Sequence, residues 1–295
     1  MTMLVARPRR SALYMPASNA KAIEKARTLP CDVVILDLED AVAPEAKEAA
    51  RAMAVEAVRA GGFNRKEVVI RINGEGTPWG NADLEAAIAA GPDAILVPKV
   101  NRGSDVVAYQ RSLGAAPIDL WAMVETTHAL FNLYELAAAA EATRLTCFVM
   151  GTNDLVKETG ARLTPGREPL LGPLGLAVAA ARSQGLTILD GVFNDIEDLE
   201  GLDRECGQGR DFGFDGKTLI HPKQIETCNT AFTPAAGEVA FARAVVAAFA
   251  REENADKGVI RVEGKMTERL HLAQAERLLD IIERIEGLTR PPATT

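Results

Sequence analysis

Short apolar runs alternate along most of the chain with alanine-rich segments whose apolar positions recur at helical spacing. Eight such runs have the length and composition of strands buried on both faces of a sheet. Strand–helix alternation repeated eight times predicts an α/β fold, the (β/α)8 TIM barrel, in preference to an open doubly wound sheet. The predicted strands are Ser11–Met15, Val33–Leu38, Val68–Ile72, Ala94–Val97, Leu120–Glu125, Thr146–Met150, Thr187–Leu189 and Gly213–Ile220. The clearest predicted helices between them are Pro44–Ala60, Ala82–Ala90, Ala129–Ala142 and Leu174–Gln184.

A further segment follows the eighth strand, and a barrel does not need it. Helical patterns cover Ala235–Glu253 and Thr267–Ile285, with Gly258 and Gly264 as candidate pivots between them. The sequence therefore predicts a barrel over residues 1–222. Residues 223–295 are predicted to form a C-terminal helical extension that serves as a lid or is exchanged between subunits.

Composition and charge narrow the function. The chain has 295 residues and a net charge of −8, and it lacks a basic cluster, which argues against a nucleic-acid-binding surface. No apolar run approaches the ~20 residues of a membrane span, and the arginine-containing N-terminus lacks the apolar core of a secretory signal. The four cysteines are scattered without metal-binding spacing. A cytoplasmic protein with reduced thiols is expected.

Carboxylates end three of the predicted strands. Asp37 and Glu39 close the second strand, Glu125 closes the fifth, and Asp154 follows the sixth. Burial of an unpaired carboxylate is costly, so such residues indicate a metal ion, an arginine or a substrate. Because parallel strands end at one face of a barrel, the sequence predicts an active site at that face.

Glu125 and Asp154 form the candidate metal pair. Mg²⁺ is commonly held by one or two carboxylates and keeps its other positions for water and substrate. Each residue also precedes a helical pattern, so a helix-capping role is an alternative for either one alone. The backbone N–H groups of Gly151 and Thr152 beside Asp154 suit a substrate carboxylate, and this favours the metal site.

Two basic residues also end predicted strands. Arg71 finishes the third strand, where a buried guanidinium needs anionic partners such as Asp37 or Glu39. Lys99 follows the fourth strand, and it suits either an ion pair with the same carboxylates or a Schiff base with a carbonyl substrate.

The order of motifs along the chain resembles the HpcH/HpaI aldolase superfamily. The motifs are RSALYMPASN, ILDLEDAV, VIRIN, ILVPKV, the pair Glu125-Thr126, GTNDL, LDGVFNDIEDLEGL, GFDGKTLIHPKQ and GKM, and they extend from about Arg9 to Leu279. Within the superfamily the chain is most similar to the citrate lyase β-subunit-like group, which includes malyl-CoA, citramalyl-CoA and citryl lyases. The resemblance is specific for the family and much less so for the substrate.

The resemblance implies a role for each site residue. It implies Mg²⁺, with Mn²⁺ as a possible substitute, on Glu125 and Asp154, and it makes Arg71 a catalytic and substrate-binding residue supported by Asp37 and Glu39. The substrate carboxylate is expected at the backbone of Gly151, Thr152, Asn153 and Asp154. CoA is expected along Tyr14, Pro16 and Lys21. It further implies a homotrimer or hexamer in which a neighbour's C-terminal segment closes each site.

One departure bears on the reaction. Lyases of this type carry an Asp after the GKM motif as an acid supplied across the subunit interface, and here Glu268 takes that position. The resemblance implies reversible cleavage of a malyl-, citramalyl- or citryl-CoA-type thioester into acetyl-CoA and a 2-oxo acid. The longer side chain leaves two alternatives open, a malyl-CoA thioesterase and an acyl-carrier-binding citrate lyase β subunit of a multienzyme complex.

Overall fold

The computed structural model describes residues 7–289. Eight parallel strands form a closed barrel. Each strand pairs with the next in the chain, and the eighth pairs with the first, so the predicted (β/α)8 barrel is confirmed. The strands are β1 (Ser11–Pro16), β2 (Val33–Asp37), β3 (Glu67–Arg71), β4 (Ala94–Val97), β5 (Asp119–Val124), β6 (Leu145–Met150), β7 (Thr187–Asp190) and β8 (Gly216–Leu219).

Helices follow the strands and cover the outside of the barrel. They are α1 (Ala20–Ala26), α2 (Lys47–Ala60), α3 (Gly80–Ala90), α4 (Gly103–Leu113), α5 (Thr127–Phe131), α6 (Leu133–Ala138), α7 (Thr152–Thr159), α8 (Leu171–Ser183), α9 (Leu199–Phe212) and α10 (Ile225–Phe232). The single helix predicted over residues 129–142 is wrong. Asn132 adopts a non-helical conformation, and its side-chain amide donates to the carbonyls of Asn101 and His128, which separates α5 from α6.

The barrel interior is apolar in its middle layers and polar at both ends. Alternate residues of each strand point inward, as a pleated strand requires, so Ile35, Val69 and Met123 pack inside while their neighbours face the helices. Two positions further along, the same alternation turns Asp37 and Arg71 inward at the C-terminal end. The position of the site residues thus follows from strand register.

The first compact unit extends beyond the predicted boundary. It continues to Phe232, because α10 packs against β1, β8 and α9. The Asn229 side chain accepts from the Ser11 hydroxyl at 2.7 Å and donates to the Pro30 carbonyl at 2.8 Å. The boundary between the units therefore falls after Phe232 and not after Pro222.

Over residues 233–289, the described part of the second unit combines two α-helices with a hairpin. Its elements are α11 (Ala236–Phe249), β9 (Val259–Val262), β10 (Lys265–Glu268) and α12 (Arg269–Thr289). Ile260 and Val262 pack with α11 and α12 in a small apolar core. Glu263 and Gly264 both have positive φ, 48° and 81°, as the tightest hairpin turns require. Gly264 is therefore a turn residue and not a pivot. Thr267 and Glu268, predicted as the start of a helix, are the last two residues of β10.

The segment Pro222–Phe249 has the length and hydropathy of a membrane-spanning helix. The helix is interrupted between Phe232 and Ala236, where Pro234 cannot donate a helical hydrogen bond. Ala242, Val245 and Phe249 of α11 pack in the apolar core of the second unit.

Candidate active site

Charged side chains converge at the C-terminal ends of β2 to β6. Asp37 and Arg71 are the last residues of β2 and β3, and they are paired in the strand register. Lys99 follows β4 by two residues, Glu125 follows β5 directly, and Gly151 follows β6 directly. The site expected at this end of the barrel is therefore assembled from five consecutive strands.

Arg71 is the best-fixed cation of the site. Its Nε and Nη2 donate to the two carboxylate oxygens of Asp37 at 2.7 and 2.6 Å, and Asp37 is completely buried. Its Nη1 lies 2.9 Å from Oε2 of Glu39, and its guanidinium carbon lies 4.7 Å from the centre of the Tyr14 ring. Two carboxylates and a ring thus hold the plane of the guanidinium, a geometry that the point charge of a lysine cannot reproduce.

Glu39 connects Arg71 to Lys99. Its Oε1 accepts from Nζ of Lys99 at 2.6 Å, while its Oε2 faces Arg71. Burial raises the pKa of Glu39 above its ordinary value, although both cations oppose the shift. Burial lowers the pKa of Lys99, but the bond to Glu39 outweighs that effect and the net shift is upward. A more firmly protonated amine is a poorer nucleophile, so the geometry favours the ion pair over the Schiff base.

The sequence did not predict the residues that hold the backbone around Asp37 and Glu39 in place. Lys47 at the start of α2 is buried and donates from Nζ to the carbonyls of Leu38 and Glu39, both at 2.7 Å. Asn73 donates to the Leu38 carbonyl and to Asp83 on α3. Neither Lys47 nor Asp83 ends a strand, so no strand-end pattern could have revealed them. Together these contacts fix the backbone from which Asp37 and Glu39 project.

Glu125 is buried with one oxygen satisfied and one without a hydrogen-bond partner. Its Oε1 accepts from the backbone N–H of Lys99 at 2.7 Å. Its Oε2 has no hydrogen bond to any of residues 7–289. Burial, followed by the negative charges of Glu39 and Asp154, raises the pKa of Glu125 to about 8. Glu125 is not a helix cap, because Thr126 caps α5 by accepting from the N–H of Ala129 at 3.0 Å.

Asp154 and the start of α7 lie beside Glu125. Gly151 immediately precedes α7, Thr152 is its buried first residue, and Asp154 lies half-buried in its first turn. Exposed Asn153 exchanges two amide hydrogen bonds with Asn194, at 3.1 and 2.9 Å. The N–H groups of this first turn are those expected to bind a carboxylate, and the structure places them next to the Glu125 carboxylate.

Gly151 allows that close approach. A Cβ atom at this position would lie 2.4 Å from Cβ of Glu125 and 2.7 Å from its Oε2. We expect Gly151→Ala to displace the Glu125 carboxylate and to lower kcat/KM by about 100-fold, since a misplacement of about 1 Å has this effect. Steady-state kinetics measures the loss, with Gly172→Ala as a matched control because open space surrounds Gly172 in α8. Equal activity in the two variants would contradict the proposed close contact.

The residues present fit a divalent cation. The unpartnered Oε2 of Glu125 is a buried acceptor next to Asp154. The charged groups around it carry a formal net charge of −2, from five carboxylates and three cations. These groups are Asp37, Glu39, Asp40, Glu125, Asp154, Arg71, Lys99 and Lys47. Residues 7–289 contain no cluster of three or more metal-binding side chains. Two carboxylates with open positions for water and substrate suit Mg²⁺.

The residues expected to contact CoA do not form one edge. Tyr14 points into the barrel against Arg71, because it alternates with the outward-facing residues of β1. Pro16 ends β1 opposite Asp37, and Lys21 is exposed in the first turn of α1. The structure therefore leaves Pro16 and Lys21 at the rim and makes Tyr14 a neighbour of the guanidinium.

Glu268 belongs to the second unit. It is the last residue of β10 and is half-buried, and its backbone N–H donates to Nδ1 of His271 at 2.9 Å. The bond joins the strand to the first turn of α12. The structure thus places Glu268 at a fixed junction and not on a free loop.

Comparison with known proteins matches most of the chain. Residues 10–222 match the family described as HpcH/HpaI aldolase/citrate lyase. A (3S)-malyl-CoA thioesterase of Cereibacter sphaeroides is 47% identical, with 95% of this chain and 96% of that protein covered. An L-malyl-CoA/beta-methylmalyl-CoA lyase of the same species is 32% identical, with 96% and 97% covered. The solved structure of CitE from Mycobacterium tuberculosis, in complex with magnesium, acetoacetate and coenzyme A, is 32% identical. Its TM-score is 0.75, with 96% of this chain and all of that chain covered.

Proposed function

The chain belongs to the HpcH/HpaI aldolase/citrate lyase family, and we propose that it hydrolyses the thioester of malyl-CoA or of a closely similar 3-hydroxy-3-carboxyacyl-CoA. The observation that carries this proposal is the 47% identity, over nearly the full length of both chains, to a (3S)-malyl-CoA thioesterase. The related lyase is only 32% identical over a similar span. The family resemblance favours carbon–carbon cleavage, whereas the higher identity to the thioesterase supports hydrolysis as the first candidate.

Glu125 and Asp154 are the residues that would hold a Mg²⁺ ion. When bound, the ion supplies Lewis-acid polarisation and a fixed point for the substrate carboxylate and hydroxyl. Thr152 and Asn153 would bind that carboxylate through their backbone N–H groups. The N–H of Gly151, expected from the sequence to take part, donates instead to the Val124 carbonyl at 3.0 Å. This part of the proposal is supported by the unpartnered Oε2 of Glu125 and by the magnesium in the CitE complex.

Arg71 would act at the thioester carbonyl. As water attacks the carbonyl carbon, negative charge develops on the carbonyl oxygen, and a rigid guanidinium stabilises it without rearrangement. Asp37, Glu39 and Tyr14 supply that rigidity. Collapse of the tetrahedral intermediate breaks the C–S bond and releases malate and the CoA thiolate.

Glu268 would accept the proton of the attacking water and return it to the departing thiolate. We place Glu268 in the site of a neighbouring subunit, so the working form is a homotrimer or a hexamer. A carboxylate one methylene longer than the lyase aspartate reaches a different point. In hydrolysis, the Glu268 carboxylate with its longer reach would act as a general base toward the attacking water. In the lyase reaction, the residue at this position acts as an acid that protonates the enolate carbon.

Carbon–carbon cleavage is the second candidate, and the lyase relative favours it. The same substrate would be split into glyoxylate and acetyl-CoA. Arg71 would then stabilise the thioester enolate and Glu268 would protonate it. Hydrolysis and carbon–carbon cleavage would share the same substrate and the same charge-stabilising residue, Arg71. The two reactions are therefore distinguished by their products.

The products of malyl-CoA therefore test the proposal. Incubation with Mg²⁺ and (3S)-malyl-CoA is expected to release malate and free CoA thiol in equal amounts, quantified by chromatography and thiol titration. Excess EDTA should stop the reaction. Glyoxylate and acetyl-CoA in place of malate would overturn hydrolysis and establish the second candidate.

A further inference from the structure

Lys99 contacts both halves of the site through two different groups. Its backbone N–H donates to Oε1 of Glu125 at 2.7 Å, and its Nζ donates to Oε1 of Glu39 at 2.6 Å. Glu125 is the candidate metal ligand, whereas Glu39 pairs with Arg71. One residue therefore connects the candidate metal carboxylate with the charge-stabilising guanidinium.

The backbone of Lys99 adopts a conformation that residues with a Cβ rarely use. Its φ is 53°, in the left-handed region that favours glycine. Strained backbone of this kind persists when the surrounding structure fixes it, and it concentrates at functional sites. The Lys99 carbonyl accepts from the side-chain amide of Asn101, whose Oδ1 accepts from the hydroxyl of Thr126. The strained turn is thus anchored to the residue that follows Glu125.

The turn decides which oxygen of Glu125 is available. Because the N–H of Lys99 donates to Oε1, Oε2 remains without a hydrogen bond within the described part of the chain. With an extended backbone at Lys99, the chain that follows could not keep its bonds to Asn101 and Thr126. The peptide that carries the N–H would lose this anchor, and the carboxylate could rotate. Outer contacts that orient a ligand in this way commonly change metal affinity by about 10- to 100-fold.

We propose that Lys99 is a positioning residue whose left-handed turn presents Oε2 of Glu125 to a divalent cation. Its ammonium group holds Glu39 against Arg71. The inference rests on the metal site of the proposed function and assigns a role to a residue that makes no contact with the metal itself. The strain at Lys99 is the cost of directing its N–H at Oε1.

Three substitutions at Lys99 separate the backbone from the charge. Gly, Met and Val all remove the ammonium group. Gly adopts positive φ without strain, Met does so at some cost, and β-branched Val resists it most. Removing a positive charge beside the site favours cation binding equally in all three variants. Any difference among them therefore reports the backbone.

Mn²⁺ binding to the full-length protein, followed by electron paramagnetic resonance without substrate, is the direct measurement. Lys99→Gly is expected to bind Mn²⁺ at least as tightly as wild type, Lys99→Met less tightly, and Lys99→Val at least about 10-fold more weakly than Lys99→Gly. Asn64→Val is the matched control, because exposed Asn64 also has a positive φ, 57°, and lies just before β3, away from the site residues.

The outcomes are distinguishable. Equal Mn²⁺ affinity in the three Lys99 variants would overturn the backbone role, and so would an equal loss in Asn64→Val. The ammonium role requires that Lys99→Gly, saturated with Mn²⁺, lose about 10- to 100-fold in kcat. Unchanged kcat would overturn that part. Wild type that fails to bind Mn²⁺ would instead refute the metal site of the proposed function.

Discussion

Replacing Glu125 with glutamine is expected to abolish metal-dependent turnover while the barrel remains folded. The change is isosteric, and the amide oxygen can still accept from the Lys99 N–H. It removes the negative charge at a completely buried position that faces Asp154. Outer contacts of metal sites are worth up to about 100-fold, so loss of a direct ligand should exceed that in kcat/KM. Glu158→Gln is the control, because it removes an exposed carboxylate on the neighbouring α7.

In the metal-free protein, Glu125→Gln is expected to increase folding stability at high pH. The folded-state pKa of Glu125, about 8, lies above the ordinary value of 4.5. The folded state therefore holds this proton over a range in which the unfolded chain has lost it, so stability falls as pH rises through about 8. Glu125→Gln removes this loss. The variant should melt at a higher temperature than wild type at pH 9 in EDTA, and at a similar temperature at pH 4.

Calorimetry at the two pH values tests this effect. Added Mg²⁺ should raise the melting temperature of wild type and leave Glu125→Gln unchanged, because a ligand stabilises only the state that binds it. Activity of Glu125→Gln equal to that of Glu158→Gln would refute Glu125 as a metal ligand.

The sequence reveals the strand ends of the site more readily than the contacts that support them. Apolar strands that end in charge are visible because burying charge is costly, and this predicted Asp37, Arg71, Glu125 and their meeting at one face. Strand limits agree to within one residue, except that the eighth strand begins at Gly216, three residues later than predicted, since the end residues of a strand depend on neighbouring strands. The role of Lys47 could not be predicted, because its partners are backbone carbonyls and every residue type carries a backbone carbonyl.

The C-terminal unit shows a different limit. Residues 259–268 contain only two four-residue strands, too short for a clear alternating pattern, and the helical pattern that follows overrides them. Positive φ at Glu263 next to Gly264 is the local signal of a hairpin turn, and glutamate is an uncommon residue there. Likewise, the sequence predicted Tyr14 at the rim, whereas the register of β1 places it inside the barrel.

Arg71→Lys is expected to lower kcat by about 100- to 1,000-fold, the range found when one donor to a developing oxyanion is removed. Lysine keeps the charge, so it avoids leaving Asp37 and Glu39 buried without a cation, which would cost about 3–5 kcal/mol of folding stability. What it loses is the paired contact of Nε and Nη2 with Asp37 and the planar contact with Tyr14. A flexible ammonium group in that space can pair with Asp37 but cannot also face the carbonyl oxygen in a fixed direction.

Arg27→Lys is the matched control for this experiment. Arg27 also pairs with a carboxylate, Glu24 at 3.0 Å, and lies over an aromatic ring, Phe63 at 4.6 Å, but it sits at the end of α1. The control should keep wild-type kinetics. Steady-state and single-turnover rates with malyl-CoA separate the possible roles of Arg71. A fall in kcat with little change in KM places the interaction in the transition state. A rise in KM alone would mean that Arg71 only binds the substrate, and the charge-stabilising role proposed for it would be wrong.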